Sequence, residues 1–451
     1  MTTTTTPAAP PAGLFSRPYV LATLGSSGLV FLAAFEALAV TTIMPVITAE
    51  LDGRALYSLA FSATMAAGVV GMVAAGAWSD RRGPDRPLLV AVAVFALGLV
   101  AAGVAPSMGV FVGARFLQGL GGGGITVALY VVVGRAYPGV LHPRIFGLFA
   151  AAWVVPSMVG PFAAGVVADS VGWRWVFLGV LVLVAGATAL ILPVLGGGGG
   201  SAEPRAGDGR RIVAAVVVAG AAVALSVWGG RWPWLVPPVA VAVIVVAVRP
   251  LLPVGTFRAR RGLPAVVLLC AVAGATFFST EVYLPLLLHD VHGLPTWLSG
   301  VTLTAGAVSW AAASHVQGRL RETGHAAVIR TGAVLLAAGV AAELAVAAFT
   351  LHPALAAVGW LFAGGGMGLM YPRVSTLVLA VSAPGEEGFN AAARSISDAV
   401  GASVALALAG LLFTRLGTVS TWASFTGTLT FCTVVALSVI AVAGRVGDEK
   451  R

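Results

Sequence analysis

The sequence predicts an all-α polytopic membrane protein, and three observations carry that prediction. Of 451 residues, 59% are hydrophobic and 10% charged. The apolar residues fall in run after run of about 20, the length that crosses a bilayer core, and a soluble fold could not hide so much apolar surface. Backbone polar groups in lipid need internal partners, and no β-barrel alternation appears, so each run is read as a helix.

The elements follow in order. Residues 1–19, beginning "MTTTTTPAAPPAGLFSRP", are polar and proline-rich with one Arg and no small-residue cleavage site, which predicts a disordered cytoplasmic tail and not a signal peptide. Spans are expected near 20–48, 56–78, 88–105, 108–133, 145–167 and 173–193, giving an N-terminal six-helix bundle over 20–193. The glycine-rich stretch "LGGGGGSAEPRAGDGRR" then breaks the apolar pattern. Two shorter spans, near 212–228 and 234–248, make an insertion within 194–263. Six more, near 264–288, 296–316, 326–350, 354–380, 389–413 and 420–443, form a C-terminal bundle over 264–443, and 444–451 is a second cytoplasmic tail. Fourteen spans are expected in all.

Net charge is +9, and its placement decides what it means. Alternate loops hold Arg81, Arg82 and Arg86; Arg135 and Arg144; Arg205, Arg210 and Arg211; Arg249, Arg258, Arg260 and Arg261; Arg319 and Arg321. The other loops hold only Arg54, Arg174, Arg231 and Arg415. The positive-inside rule places the rich loops and both termini in the cytoplasm. The basic excess therefore reflects topology and anionic membrane lipid, not a nucleic-acid partner. Arg supplies 25 of the 26 basic residues in an Ala- and Gly-rich chain, a composition that suggests a GC-rich bacterial genome; for a polytopic membrane protein of such a cell the plasma (inner) membrane is the expected location.

Several classes of chemistry are excluded. Cys270 and Cys432 lie in different apolar runs, and His142, His289, His292, His315, His325 and His352 lie in loops or near span ends. No metal site is expected from them. No GxxxxGK[ST] loop is present, so no nucleotide cofactor is expected and any transport must draw on an ion gradient.

An offset of 245 residues relates the two six-helix stretches. It takes Glu36 in "FLAAFEALAVTTIMPVI" to Glu281 in "TEVYLPLLL", and Gly119 in "RFLQGLGGGG" to Gly364 in "WLFAGGGMG". Two halves of parallel topology follow, with the extra pair of spans keeping the second half in the orientation of the first.

Between the second and third spans stands "GAWSDRRGPDRP", with Gly76, Asp80, Arg81, Arg82, Gly83 and Arg86. This resembles the loop motif of the major facilitator superfamily, with Pro84 and Asp85 in place of two expected basic residues. Three more stretches narrow the resemblance to its fourteen-span drug:proton antiporter branch. "RFLQGLGGGG" resembles the fourth-helix motif through Arg115, Gln118 and Gly119; "PSMVGPFAAG" resembles the antiporter motif through Gly160, Pro161 and Gly165, with Pro156 and Ala164 where Gly is usual; "EALAVTTIMP" resembles the first-helix acidic stretch, with Glu36 in place of Asp nine residues before Pro45. The resemblance implies the major facilitator fold, proton-coupled export of drug-like compounds including antibiotics, and a part for Arg115 in proton transfer.

The acids supply the chemistry. One acid at the bilayer centre costs roughly 2.5 to 3.5 kcal/mol on the insertion scale, which thirteen Leu, Ile, Val or Phe residues in the first span offset. Glu36 is thus tolerated, and acids at such positions face a bundle interior or a wet cavity. A carboxylate there can take up a proton or attract a cationic substrate; the competing reading is a structural Glu hydrogen-bonded to a neighbouring helix. Glu281 shares both readings. Asp398, in "ARSISDAVGAS", reaches about mid-membrane at 1.5 Å per residue, and the repeat offset pairs it with Trp153, so an acid and an aromatic stand at equivalent depths for a cationic amphiphile. Packing is the alternative for Trp153. Glu343 is the weakest acid candidate, Arg373 and Arg394 are read as anchors, and Asp80, Arg81 and Arg82 as a gate between helix ends. Gly160 and Pro161 bend the fifth helix. Proton coupling is therefore expected at Glu36, Arg115, Glu281 and Asp398, and substrate contact at Glu36, Glu281, Trp153 and Asp398. A monomer that exchanges protons for lipophilic, cationic compounds is expected; export of a lipid or natural product is the alternative, and a polytopic enzyme is disfavoured because the acids are spread singly at mid-depth.

Overall fold

A computed structural model describes residues 13–196, 208–320, 324–382 and 387–446. The expected tails beyond these, and Arg205 and Arg321, lie outside the described residues. Within them the chain is all-helical: α1 (Val20–Glu50), α2 (Tyr57–Arg82), α3 (Asp85–Gly103), α4 (Met108–Ala136), α5 (His142–Ser170), α6 (Arg174–Ile191), α7 (Asp208–Trp228), α8 (Val236–Ala247), α9 (Leu263–Asp290), α10 (Thr296–Arg319), α11 (His325–Phe349), α12 (Ala354–Ala380), α13 (Glu387–Gly417) and α14 (Thr421–Ala443).

Local chemistry marks several ends. Ser107 and Ser420 accept the backbone N–H groups of Val110 and Ala423 at 3.5 and 3.0 Å, capping α4 and α14. Gly83, with φ of 82°, ends α2 in a conformation that a side chain would strain. Prolines 45, 156, 161, 285 and 372 lie inside helices that run on through them.

Among the described residues, twelve helices are long and apolar enough to cross a bilayer. The expectation of fourteen is met in helices but not in qualifying spans. α8 is too short, even extended by a 3₁₀ turn to Leu251. α10 has 24 residues, but Thr, Ser, Gly, His and Gln lower its hydropathy. Its chief neighbours are α5 and α12, and its buried residues, Thr296 to Gly306, all lie in its first half.

The packing repeats along with the sequence. Gly119, Gly121 and Gly123 press α4 onto its neighbours, the first and third against the α2 backbone at Thr64 and Gly68, the second against the α3 backbone at Ala91 and Phe95. Gly364, Gly366 and Gly368, each 245 positions on, press α12 onto α10 at Gly306 and Trp310 and onto α11 at Gly332 and Leu336. Small residues at this spacing let helices approach to backbone contact.

The halves meet along two seams, α5 against α10 and α2 against α13. The inserted α7 lies on the second seam, touching both α2 and α13, with Ser226 Oγ 3.2 Å from Ser62 Oγ; α8 packs chiefly on α7.

Candidate functional site

α1 and α4 bring together the two charged residues deepest in the first half. Arg115 Nη1 donates to Glu36 Oε1 as an ion pair and to Gln118 Oε1 at 2.6 Å. Glu36 is 4% exposed and Arg115 2%. Thr64 Oγ1 on α2 donates to the Arg115 carbonyl at 3.1 Å, tying a third helix to the pair. Arg115 Nε and Gln118 Nε2 have no partner among the described residues. A buried pair of this kind is poised: removing one charge leaves the other uncompensated, at about 3 to 5 kcal/mol.

Sequence reasoning weighed Glu36 and Arg115 separately and missed their pairing. The signal was available, because Glu36 is the one acid deep in a first-half span and an intramembrane Arg needs a counter-ion.

The repeat breaks at this point. Glu281 on α9 is buried like Glu36, yet has no hydrogen-bond or ion-pair partner among the described residues. The offset that takes Glu36 to Glu281 takes Arg115 to Trp360. Where the first half has a guanidinium, the second has an indole, stacked on Phe277 with ring centroids 4.6 Å apart.

Trp360 belongs to an aromatic group that the sequence reading did not find. Phe277 meets Trp310 edge-on at 5.2 Å, and Trp310 meets Tyr371 at 5.3 Å. Tyr371 Oη donates to Asp398 Oδ1 at 2.5 Å. Asp398 is half-buried on α13, one turn beyond Arg394, and its carboxylate lies over Gly274 of α9, where a Cβ would collide with Oδ1. The second half thus offers a carboxylate, a phenol and indole faces in one place, a combination suited to an organic cation. Trp153, the expected partner of Asp398, is 49% exposed on α5 and makes no ring contact among the described residues; the structure does not bring it to the cluster.

The remaining candidates fall into place around these. Gly160 faces the Phe35 ring, and Gly165 and the Pro161 carbonyl lie against the α10 backbone at Trp297 and Gly300. The antiporter-like stretch therefore forms the α5–α10 seam. Further contacts between the halves sit at the same end: an ion pair of Arg54 with Asp290, a Tyr57 Oη bond to the Val282 carbonyl at 2.6 Å, and Asp169 accepting the Trp297 N–H at 3.4 Å. Gly76 touches Val127 of α4. Asp80, Arg81 and Arg82 close α2, all exposed, as is Arg86 in the first turn of α3. Arg373 donates to the Gln317 and Leu320 carbonyls at 2.9 and 2.5 Å, so it caps α10 and is not the snorkelling anchor expected. Glu343 is fully buried at the α11–α12 crossing, and neither carboxyl oxygen has a partner among the described residues.

Residues 27–405 match the family described as Major Facilitator Superfamily. The chain is 26% identical over 427 residues, 88% of each chain, to a probable multidrug-efflux transporter of Mycobacterium tuberculosis. It is 30% identical over 320 residues to an MFS-type transporter of Metarhizium majus, a match covering 65% of this chain and only 54% of the fungal one. Among solved structures, it resembles a D-xylose-proton symporter with a TM-score of 0.67, at 13% identity over 96% of this chain and 98% of the other. It also resembles a POT family transporter in complex with 5-aminolevulinic acid, with a TM-score of 0.70, at 14% identity over 96% and 97%. At such identities these two speak for the fold alone.

Proposed function

The chain belongs to the major facilitator superfamily of membrane transporters, and we propose that within it the protein is a proton-coupled antiporter that expels lipophilic, cationic compounds by alternating access. The observation that carries the reading is the buried Glu36–Arg115 pair. A proton arriving on Glu36 removes half of an ion pair and leaves Arg115 with a charge that burial penalises. The conformation that lets water or another acceptor reach Arg115 is then favoured, so proton uptake is converted into movement. Names of relatives that include efflux support the direction of transport.

The two halves divide the work. The first half holds the proton at Glu36 and Arg115; the second binds the substrate, with Asp398 and Glu281 for its charge and Trp310, Tyr371 and Trp360 for its aromatic or aliphatic body. Asp80, Arg81, Arg82 and Arg86 gate the end where α2 meets α3, and Gly160, Pro161 and Gly165 give α5 a close, slidable contact with α10.

Topology follows from chain direction. α6 ends beside the start of α1, since Gly25 lies against Ile191, whereas Gly229 just after α7 lies against Leu411 near the far end of α13. α9 ends at the Arg54–Asp290 pair and so begins at the opposite end. These contacts support a reading in which α8 returns the chain across, for fourteen spans with the start of α1 and the end of α14 on one side. Sixteen residues from Val236 to Leu251 cover about 24 Å as a helix, a shortfall that local thinning accommodates. The basic loops support a cytoplasmic α2–α3 end and cytoplasmic termini, and the membrane of this reading is a bacterial inner membrane.

The test is substrate-induced proton release from the purified protein in detergent, titrated with tetraphenylphosphonium and comparing wild type with Glu36→Gln. Release by wild type and its loss in the variant are expected. Release that survives the substitution moves the proton site to Glu281 or Asp398; binding of the cation without any release overturns the antiport reading.

A further inference from the structure

The segment joining α8 to α9 carries Arg249, Arg258, Arg260 and Arg261, all exposed, and no acidic residue occurs between Asp208 and Glu281. Beside it lies a cavity of about 290 Å³ bounded by α8, α9, α13 and α14. Its walls are apolar, including Ile244, Val272, Val404 and Phe431, and at the mouth Leu252 and Phe257 come from the arginine-bearing segment itself. Phe257 and Val254 are exposed there. α8 packs chiefly on α7, which is why its other side leaves a gap. The volume is near the lower end for pockets that hold a small molecule, about 300 Å³.

We propose that this groove binds one anionic phospholipid, with part of an acyl chain in the cavity and the phosphate against Arg249 and Arg258. Within a bilayer only lipid chains and lipophilic solutes reach a lateral apolar cavity. Four arginines, in a stretch with no acid between Asp208 and Glu281, attract a phosphate and repel a cation, so charge separates the two. The groove is lined by Ser397, Val400 and Gly401 of α13, whereas the Asp398 carboxylate is held by Tyr371 of α12, so the two sites use different faces of that helix. Because Val400 and Val404 of the cavity wall lie on α13, the helix that meets α2 across the halves, a bound chain would steady one of the two seams. The inference rests on the transporter spanning a membrane and not on which compound it exports.

The experiment reconstitutes the full-length protein in phosphatidylcholine vesicles containing phosphatidylglycerol with a photoreactive diazirine in one acyl chain, and maps the labelled residues by mass spectrometry after illumination. Label is expected on cavity-lining residues of α8, α9 and α13. Arg249→Gln with Arg258→Gln lowers it roughly thirtyfold; both arginines are exposed, so these variants keep the fold. Val272→Phe fills the cavity and removes the label, with the melting temperature reporting that the protein is intact. Equal cavity labelling by diazirine phosphatidylcholine, or labelling indifferent to the arginine substitutions, overturns the proposal. So does displacement of the label by tetraphenylphosphonium, which would make the cavity a substrate path. Failure of proton release leaves the labelling result unchanged, so the two readings fail separately.

Discussion

Glu36 and Arg115 are each costly alone and tolerable together. Replacing either one by Ala is expected to lower the melting temperature in detergent more than replacing both, because each single variant strands a buried polar partner, at about 3 kcal/mol or more. Double-variant melting that is the sum of the two single effects would show that the pair is not coupled. Glu343 poses the opposite case. A charged carboxylate with no partner in an apolar crossing would be expensive, so Glu343→Gln is expected to leave melting temperature and proton release unchanged, whereas a loss of release would place Glu343 in the proton path. At this scale the sequence was only partly legible. Individual buried acids stand out against an apolar background. Which side chains they face depends on helix rotation and crossing, so Tyr371 on Asp398, and Trp360 in the place of a second arginine, required coordinates.

Helices were the most legible level, since apolar length alone marks a span. The exceptions have physical causes. α10 carries Thr296, Ser299 and Thr302 where it is buried against protein and not lipid, and α8, the short one, rests chiefly on α7. Sequence also located the antiporter-like stretch of α5, but not its contact: Gly165 and Pro161 seat against α10, where Gly300 leaves no room for a side chain. Gly300→Leu is therefore expected to wedge the seam and hold the α1–α2 end open. Spin labels at Val171 and Leu294 would report this as a longer distance population at the expense of the wild-type one; the native cysteines are both buried and do not interfere. An unchanged distance distribution in a folded variant would remove α5–α10 closure from the transport cycle.

For the whole molecule, the described contacts between the halves place an ion pair and hydrogen bonds at the α1–α2 end. Arg54 is 54% exposed at its side chain, so its pair with Asp290 is worth no more than about 1 kcal/mol, roughly a fivefold bias between states. Arg54→Asp should shift the same spin-label distances toward the open population by about that factor, and adding Asp290→Arg should restore them. Failure of the swap to restore the distribution would show that the bias comes from packing and not from charge.

The glycine rows of α4 and α12 bear on how such a molecule can move at all. Each row fastens one helix to two others at backbone contact, with no side chains between to slide or rearrange. Three helices in each half are thus riveted into a plate, and a plate cannot flex to let cargo through. Deuterium uptake should accordingly be slow throughout α2, α3 and α4 and throughout α10, α11 and α12 and faster along α5, and the time the transporter takes to turn over should be set by friction where α5 meets α10 and α2 meets α13, not by deformation within either plate.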